Sequence, residues 1–196
     1  NALMGQRLSR IVNANKEKFL SASGTFESFV RNYNGFSLDV IPYKNQDAEA
    51  FEQVWTAWEE IRRYGFTDKE VERVQEALFQ ELMKMESEVE KESNPYYVSV
   101  FQNHFLAGMP FHEQPVELGL LKEALLEITP EDMNTWIHSW ATDSNRIIVV
   151  SGNDKDYSYL TKEQALDIMA KVAEKDIQPE VIEHKTPEGF DLKLQA

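Results

Sequence analysis

The side chains best suited to chemistry are four histidines, His104, His112, His138 and His184, and a surplus of carboxylates: 34 acidic residues against 20 basic ones. A helical zinc site needs two histidines on one face, as H-x-x-E-H or H-E-x-x-H supplies, with a carboxylate as base or further ligand. No two histidines here have that spacing. His104 and His112 are separated by Gly108 and Pro110, which break any helix face the two would share. His112 and Glu113 are adjacent, so a regular element cannot aim both at one metal. The histidines therefore read as surface or hydrogen-bonded structural groups. Glu59, Glu60, Glu86, Glu88, Glu90 and Glu92 read as solvated helix faces rather than acid–base pairs. The sequence has no cysteine, which excludes thiolate ligands, cysteine nucleophiles and disulfides. It has no G-x-S-x-G, G-x-G-x-x-G or G-K-[ST] either, and Ser151-Gly152-Asn153 signals a tight turn and no more. Trp55, Trp58, Trp136 and Trp140 fall on helical stripes and read as core rather than as a ligand cage.

What must position such residues is set by the rest of the chain. Its 196 residues suit one domain, and 42% hydrophobic with 11% aromatic content excludes disorder as a description of the whole. A formal charge of −14 opposes binding to nucleic acid or anionic lipid, both of which need a basic face. No apolar run approaches the roughly 20 residues of a membrane-spanning helix, so membrane insertion is not expected. The first residue is Asn1, within a helical pattern and without a basic-then-apolar leader. The stretch reads as a piece of a longer polypeptide.

Leu3, Met4, Leu8, Ile11 and Val12 predict an opening helix. Strand formers follow from Phe19, and Asn34-Gly35 is a hairpin signal. Phe36, Leu38 and Val40 alternate with polar residues, which places them on one buried face up to Pro42. Phe51, Val54, Trp55, Trp58 and Ile61 form a helical stripe that stops at Gly65. Thr67-Asp68-Lys69-Glu70 is a capping box opening a helix of about 22 residues, or about 33 Å, up to Asn94-Pro95. A short helix from Tyr97 to Leu106, one carrying Leu118 to Ile128 and one capped by Thr129-Pro130 follow. Ile147–Val150 reads as a central strand because all four residues are apolar. Thr161 to Gln164 caps a last helix through Val172, and the stretch after Lys175 has no periodicity.

Three stretches in order resemble the insulinase/pitrilysin family of zinc metallopeptidases, with the greatest likeness to large bacterial periplasmic zinc proteases. They are Met4-Gly5-Gln6-Arg7-Leu8-Ser9-Arg10 with Phe19-Leu20-Ser21-Ala22; Tyr64-Gly65-Phe66-Thr67-Asp68-Lys69-Glu70-Val71-Glu72-Arg73; and Asn103-His104-Phe105-Leu106-Ala107-Gly108 through Leu126-Glu127-Ile128-Thr129-Pro130-Glu131 to Arg146-Ile147-Ile148-Val149-Val150-Ser151-Gly152. The resemblance covers about residues 3–175.

It implies an α+β fold: a two-layer domain with a mostly antiparallel sheet and helices on one side. It implies further that residues 1–175 form the second, non-catalytic domain of one half of such an enzyme, and residues 176–196 a linker towards the next domain. The family's zinc ligands lie in the preceding domain, so zinc belongs to the parent enzyme and none is expected to bind this segment. No catalytic or metal residue carries over, and the substrate-binding residues are unknown. The family's later half offers an arginine and a tyrosine to substrate; Arg10 and Phe19 occupy roughly that neighbourhood here, with longer spacing and no hydroxyl. The implied role is enclosure of a peptide substrate alongside the preceding catalytic domain and the following half, in the periplasm. A catalytically inactive scaffold domain of the same architecture is the alternative. A third reading, a helical interaction module, would show the tryptophans exposed on one patch.

Overall fold

The computed structural model describes residues 1–30, 33–88, 93–154 and 157–181. The elements are α1 (Ala2–Ala14), β1 (Phe19–Val30), β2 (Tyr33–Pro42), α2 (Asp47–Tyr64), α3 (Asp68–Glu88), α4 (Asn94–Ala107), α5 (Gln114–Glu127), α6 (Pro130–Trp140) and α7 (Lys162–Glu174). The chain is therefore α+β: an antiparallel two-stranded sheet with seven helices among the described residues.

Register follows the alternation. Ala22 pairs with Val40, Gly24 with Leu38 and Phe26 with Phe36, so one sheet face presents Ala22, Phe36, Leu38 and Val40 to the core. That face packs under α1 and α2, whose Leu8, Val54 and Ile61 are buried within the same cluster. Burial of such side chains is worth roughly 1.5–3 kcal/mol each relative to exposure, which is why the helical stripes face inward. Phe26, Phe36, Trp58, Trp136 and Trp140 form one aromatic network spanning hairpin, α2 and α6, with ring centroids 4.7 to 5.8 Å apart. Three of the four tryptophans are buried or half-buried, and Trp136 is the one exposed. The patch that an interaction module would display is absent among the described residues. A smaller cluster of Ile168, Val172 and Ile177 seals α7 against Phe51 and Trp55 of α2.

Two local expectations fail for identifiable reasons. Asn34-Gly35 does not make the hairpin turn. Both residues lie inside β2, opposite Ser28 and Glu27, and Val30 pairs with Tyr33; the connection, residues 31–32, lies outside the described residues. Gly35 instead makes room for the Phe29 ring, whose Cε2 lies 2.3 Å from where a Cβ would sit. A cross-strand aromatic covering a strand glycine is a known stabilising pair. Ile147–Val150 forms no strand: among the described residues the sheet has two strands, and no backbone hydrogen bond reaches these four. Ile147 and Val149 are more than four-fifths exposed while Ile148 and Val150 are half so. The alternation of a strand is present without the neighbours that would make it one.

Proline positions shift the helix starts. Asn94-Pro95 begins α4 rather than only ending the helix before it, with Pro95 in the first turn, where its missing N–H costs nothing. The capping boxes at Thr129 and Thr161 form, with Oγ1 accepting from the Asp132 and Gln164 N–H groups at 3.1 and 3.2 Å.

Candidate functional site

The densest set of charged side chains is buried where α1 crosses the start of α3. Arg7 lies on the apolar stripe of α1, between Met4 and Leu8, and its side chain is almost fully buried. It donates from Nε to Glu70 Oε1 at 2.9 Å and from Nη2 to Glu70 Oε2 at 2.5 Å. Arg10, one turn on, shares the same carboxylate at 2.7 Å and binds Glu180 through Nε and Nη2 at 3.2 and 2.6 Å. Glu60 of α2 stands 3.3 Å from Arg7 Nη1 and accepts the Glu180 N–H at 2.7 Å. The Arg7 guanidinium also lies over the Phe66 ring, 5.3 Å from its centroid.

The protonation of these groups follows from counting charges: two guanidinium groups face three carboxylates. Burial pushes Glu70 upward, but the hydrogen bonds from Arg7, the Thr67 N–H and Arg10 outweigh it and hold the carboxyl at about 2. Glu60 receives what is left. Burial raises it above the ordinary carboxylate range, and the more distant Arg7 only partly offsets this. A second group, on α2, repeats the motif: Arg62 and Arg63 both donate to Glu59 at 2.8 Å and hold its carboxyl low despite burial.

Five residues of the stretch from Tyr64 to Glu70 are held in place by the packing around them. The Tyr64 hydroxyl donates to the Ile177 carbonyl at 2.8 Å. Gly65 ends α2 at φ +72°, and Asn134 Oδ1 lies 2.0 Å from where a Cβ would sit, so only glycine fits. That Oδ1 accepts the Phe66 N–H at 2.9 Å. Phe66 is buried, and Thr67 and Glu70 form the capping box, the Thr67 N–H donating to Glu70 Oε2 at 2.9 Å and the Glu70 N–H to Thr67 Oγ1 at 3.3 Å. Glu70 is thus cap and ion partner at once. Tyr64, Asn134, Thr67 and Glu70 commit their polar groups to fixing the α2–α3 junction, and Glu70 ties it to α1.

The singled-out residues are scattered. His104 Nδ1 lies 2.6 Å from the Met109 carbonyl at the end of α4, His138 Nε2 lies 2.9 Å from the Arg62 carbonyl, and His112 is exposed. His184, Glu90 and Glu92 lie outside the described residues. Glu86 pairs with Lys122 at 2.9 Å. Glu59 and Glu60 correct the reading of a solvated face: Glu59 is buried, and the Glu60 side chain is mostly so. Arg10 is engaged by two carboxylates and Phe19 is buried in the core. Among the described residues no three histidine, aspartate or glutamate side chains are gathered to hold a metal ion. Sequence reading missed Arg7 as a buried charge, although its place in the Leu3-Met4-Arg7-Leu8 stripe is a signal. It missed Glu59 too, which the following Arg62 and Arg63 at helical spacing could have revealed.

The part of the segment read as a linker that falls within the described residues, 176–181, lies against α1 and α2. Ile177 is buried and its carbonyl accepts from Tyr64 of α2 at 2.8 Å, while Glu180 binds Arg10 of α1 at 2.6 Å.

No family model matches the chain, and no curated protein does. Among solved structures it is similar to the first half of the periplasmic protease PqqL from Escherichia coli, with a TM-score of 0.71 and 14% identity over 92% of this chain. The structure of the whole of that protease gives a TM-score of 0.77 at the same identity and coverage. This chain spans 39% of the first structure's length and 20% of the second's. At such identity the likeness shows the fold: the chain is built like a portion of a periplasmic protease.

Proposed function

We propose that this chain is a non-catalytic domain of an insulinase-type zinc metalloendopeptidase, forming part of the wall that encloses a peptide substrate. The supporting observation is the fold likeness to the protease half across 92% of the chain, joined to a motif stretch in which Gly65, Phe66, Thr67 and Glu70 serve packing and capping. In this reading zinc is held by a preceding catalytic domain, and the segment alone hydrolyses nothing. The site is periplasmic, as the similar protease is; no described helix is long and apolar enough to cross a membrane. In this reading a wall carrying −14 attracts basic peptides into the enclosure, admits neutral ones and repels acidic ones.

The test has two arms. The reading frame around this stretch is sequenced, and an H-x-x-E-H motif is expected in a domain before it. The 196-residue chain is incubated with zinc and a quenched fluorescent peptide library, and no cleavage is expected. Stoichiometric zinc uptake with turnover by this chain alone overturns the non-catalytic assignment. Absence of the motif from every domain of the parent overturns the peptidase and leaves the inactive scaffold.

A further inference from the structure

Residues 176–181 follow α7 without regular structure and are tied to the rest of the fold in two ways. The first tie is apolar: Ile177 is buried beside Ile168 and Val172, and its carbonyl accepts the Tyr64 hydroxyl at 2.8 Å. The second is ionic. Glu180 accepts from Arg10 Nε and Nη2 at 3.2 and 2.6 Å, its carboxylate stands 3.2 Å from Arg7 Nε, and its own N–H donates to Glu60 at 2.7 Å. Asp176, Gln178, Pro179 and Val181 are exposed.

One buried side chain offsets little of the backbone freedom that six ordered residues lose, so the ionic tie decides whether the segment stays. That tie is contested. Glu60, Glu70 and Glu180 share two guanidinium groups, so Glu180 is attracted by Arg7 and Arg10 and repelled by two neighbouring carboxylates. It also lies at the open end of the cluster: the Arg10 and Glu180 side chains are 32% and 30% exposed, whereas those of Arg7 and Glu70 are closed. The helix before the segment is held separately. Arg63 donates to the Ala173 and Lys175 carbonyls at 2.7 and 2.9 Å, which keeps the end of α7 on α2 when the residues beyond it leave.

We propose that residues 176–181 form a strap that latches and unlatches as one unit, with Glu180 as the latch and the Arg7–Arg10 pair as its catch. Latched, the strap fixes Val181 beside α1. Released, its six residues make a tether that reaches up to about 20 Å from the end of α7. One carboxylate thereby decides whether the end of the domain is pinned to α1 or swings free. The inference is independent of the peptidase reading.

Amide hydrogen exchange of the full 196-residue chain, read by nuclear magnetic resonance, tests it. In the wild type the Ile177 and Glu180 amides, bonded to the Lys175 carbonyl and to Glu60, are expected to exchange together and faster than that of Val172, the mark of a local opening. Glu180→Gln keeps the shape and removes the charge. It should speed the Ile177 amide about tenfold or more, as the loss of charge-assisted hydrogen bonds implies, and leave Val71 and Val74 of α3 unchanged. Arg10→Gln should act in the same direction, and the double variant should go no further than the stronger single one. The sequence has no cysteine, so Ile177→Cys adds a single thiol that a disulfide reagent reaches only in the released strap; Glu180→Gln in that background should raise the labelling rate about tenfold or more. Strap amides as slow as that of Val172 overturn the proposal, since the segment then opens only with the helix. So does an Ile177 amide or thiol indifferent to Glu180→Gln, or full additivity of the two charge removals. An Ile177 amide that speeds up only in step with Val71 and Val74 overturns it as well, because Glu180 then supports the whole core rather than a strap.

Discussion

Glu70 answers to two arginines, a threonine and the start of a helix, and its behaviour with pH follows. Its carboxyl sits at about 2 when folded against an ordinary 4.5. A folded value below the unfolded one means that the unfolded chain takes up the proton first as pH falls. The stabilisation is therefore complete above about 4.5 and is lost progressively between there and about 2. Glu60 runs the other way, since its raised value makes the folded state accept a proton first and slightly favours folding as acid is added. Glu70→Gln should flatten the acid limb of a stability–pH curve. It should also cost about 3–5 kcal/mol at neutral pH, because it leaves Arg7 buried and underpaired. Urea unfolding at a series of pH values measures both; an acid limb of undiminished steepness in the variant would mean that another carboxylate carries the transition.

At the scale of elements, the junction of α2 and α3 is fixed by a glycine that no other residue replaces. Gly65→Ala forces a side chain into the left-handed region and against Asn134, and should cost about 1–3 kcal/mol from backbone strain alone. Asn134→Gly opens the space but removes the acceptor of the Phe66 N–H, so the double variant should recover only part of the loss. Recovery of wild-type stability in the double variant, read from the denaturant midpoint, would show that the clash is the whole effect. Gly65 was legible in the sequence, as were the helix seams and the caps at Thr67, Thr129 and Thr161, because each depends on residues within one or two turns. Phe36, Leu38 and Val40 were legible because one buried sheet face imposes a period of two. The turn assigned to Asn34-Gly35 was not, since a cross-strand Phe29 claimed the glycine and register outranked local turn preference. Ile147–Val150 escaped for the opposite reason: its composition is that of a central strand, but strand formation is decided by neighbours in space. The buried ion cluster joins Arg7 to Glu180 across nearly the whole sequence, and separation of that kind leaves no local pattern beyond one charge on an apolar stripe.

For the molecule as a whole, a net charge of −14 gives the salt dependence of folding a sign. Like charges held in one compact fold repel one another, and unfolding lets them separate. At low ionic strength that repulsion reaches far: the screening length is about 30 Å at 0.01 M salt and about 8 Å at 0.15 M. Exposed ion pairs such as Lys44–Asp154 and Lys171–Asp167 act in the other direction, but pairs of that kind are worth little. The chain is therefore expected to gain stability as salt rises from about 0.01 to 0.15 M and to level off once the repulsion is screened. Urea midpoints across a salt series measure it. A midpoint that falls over the same range would mean that the ion pairs outweigh the net charge, whereas a rise places the control in the surplus of carboxylates.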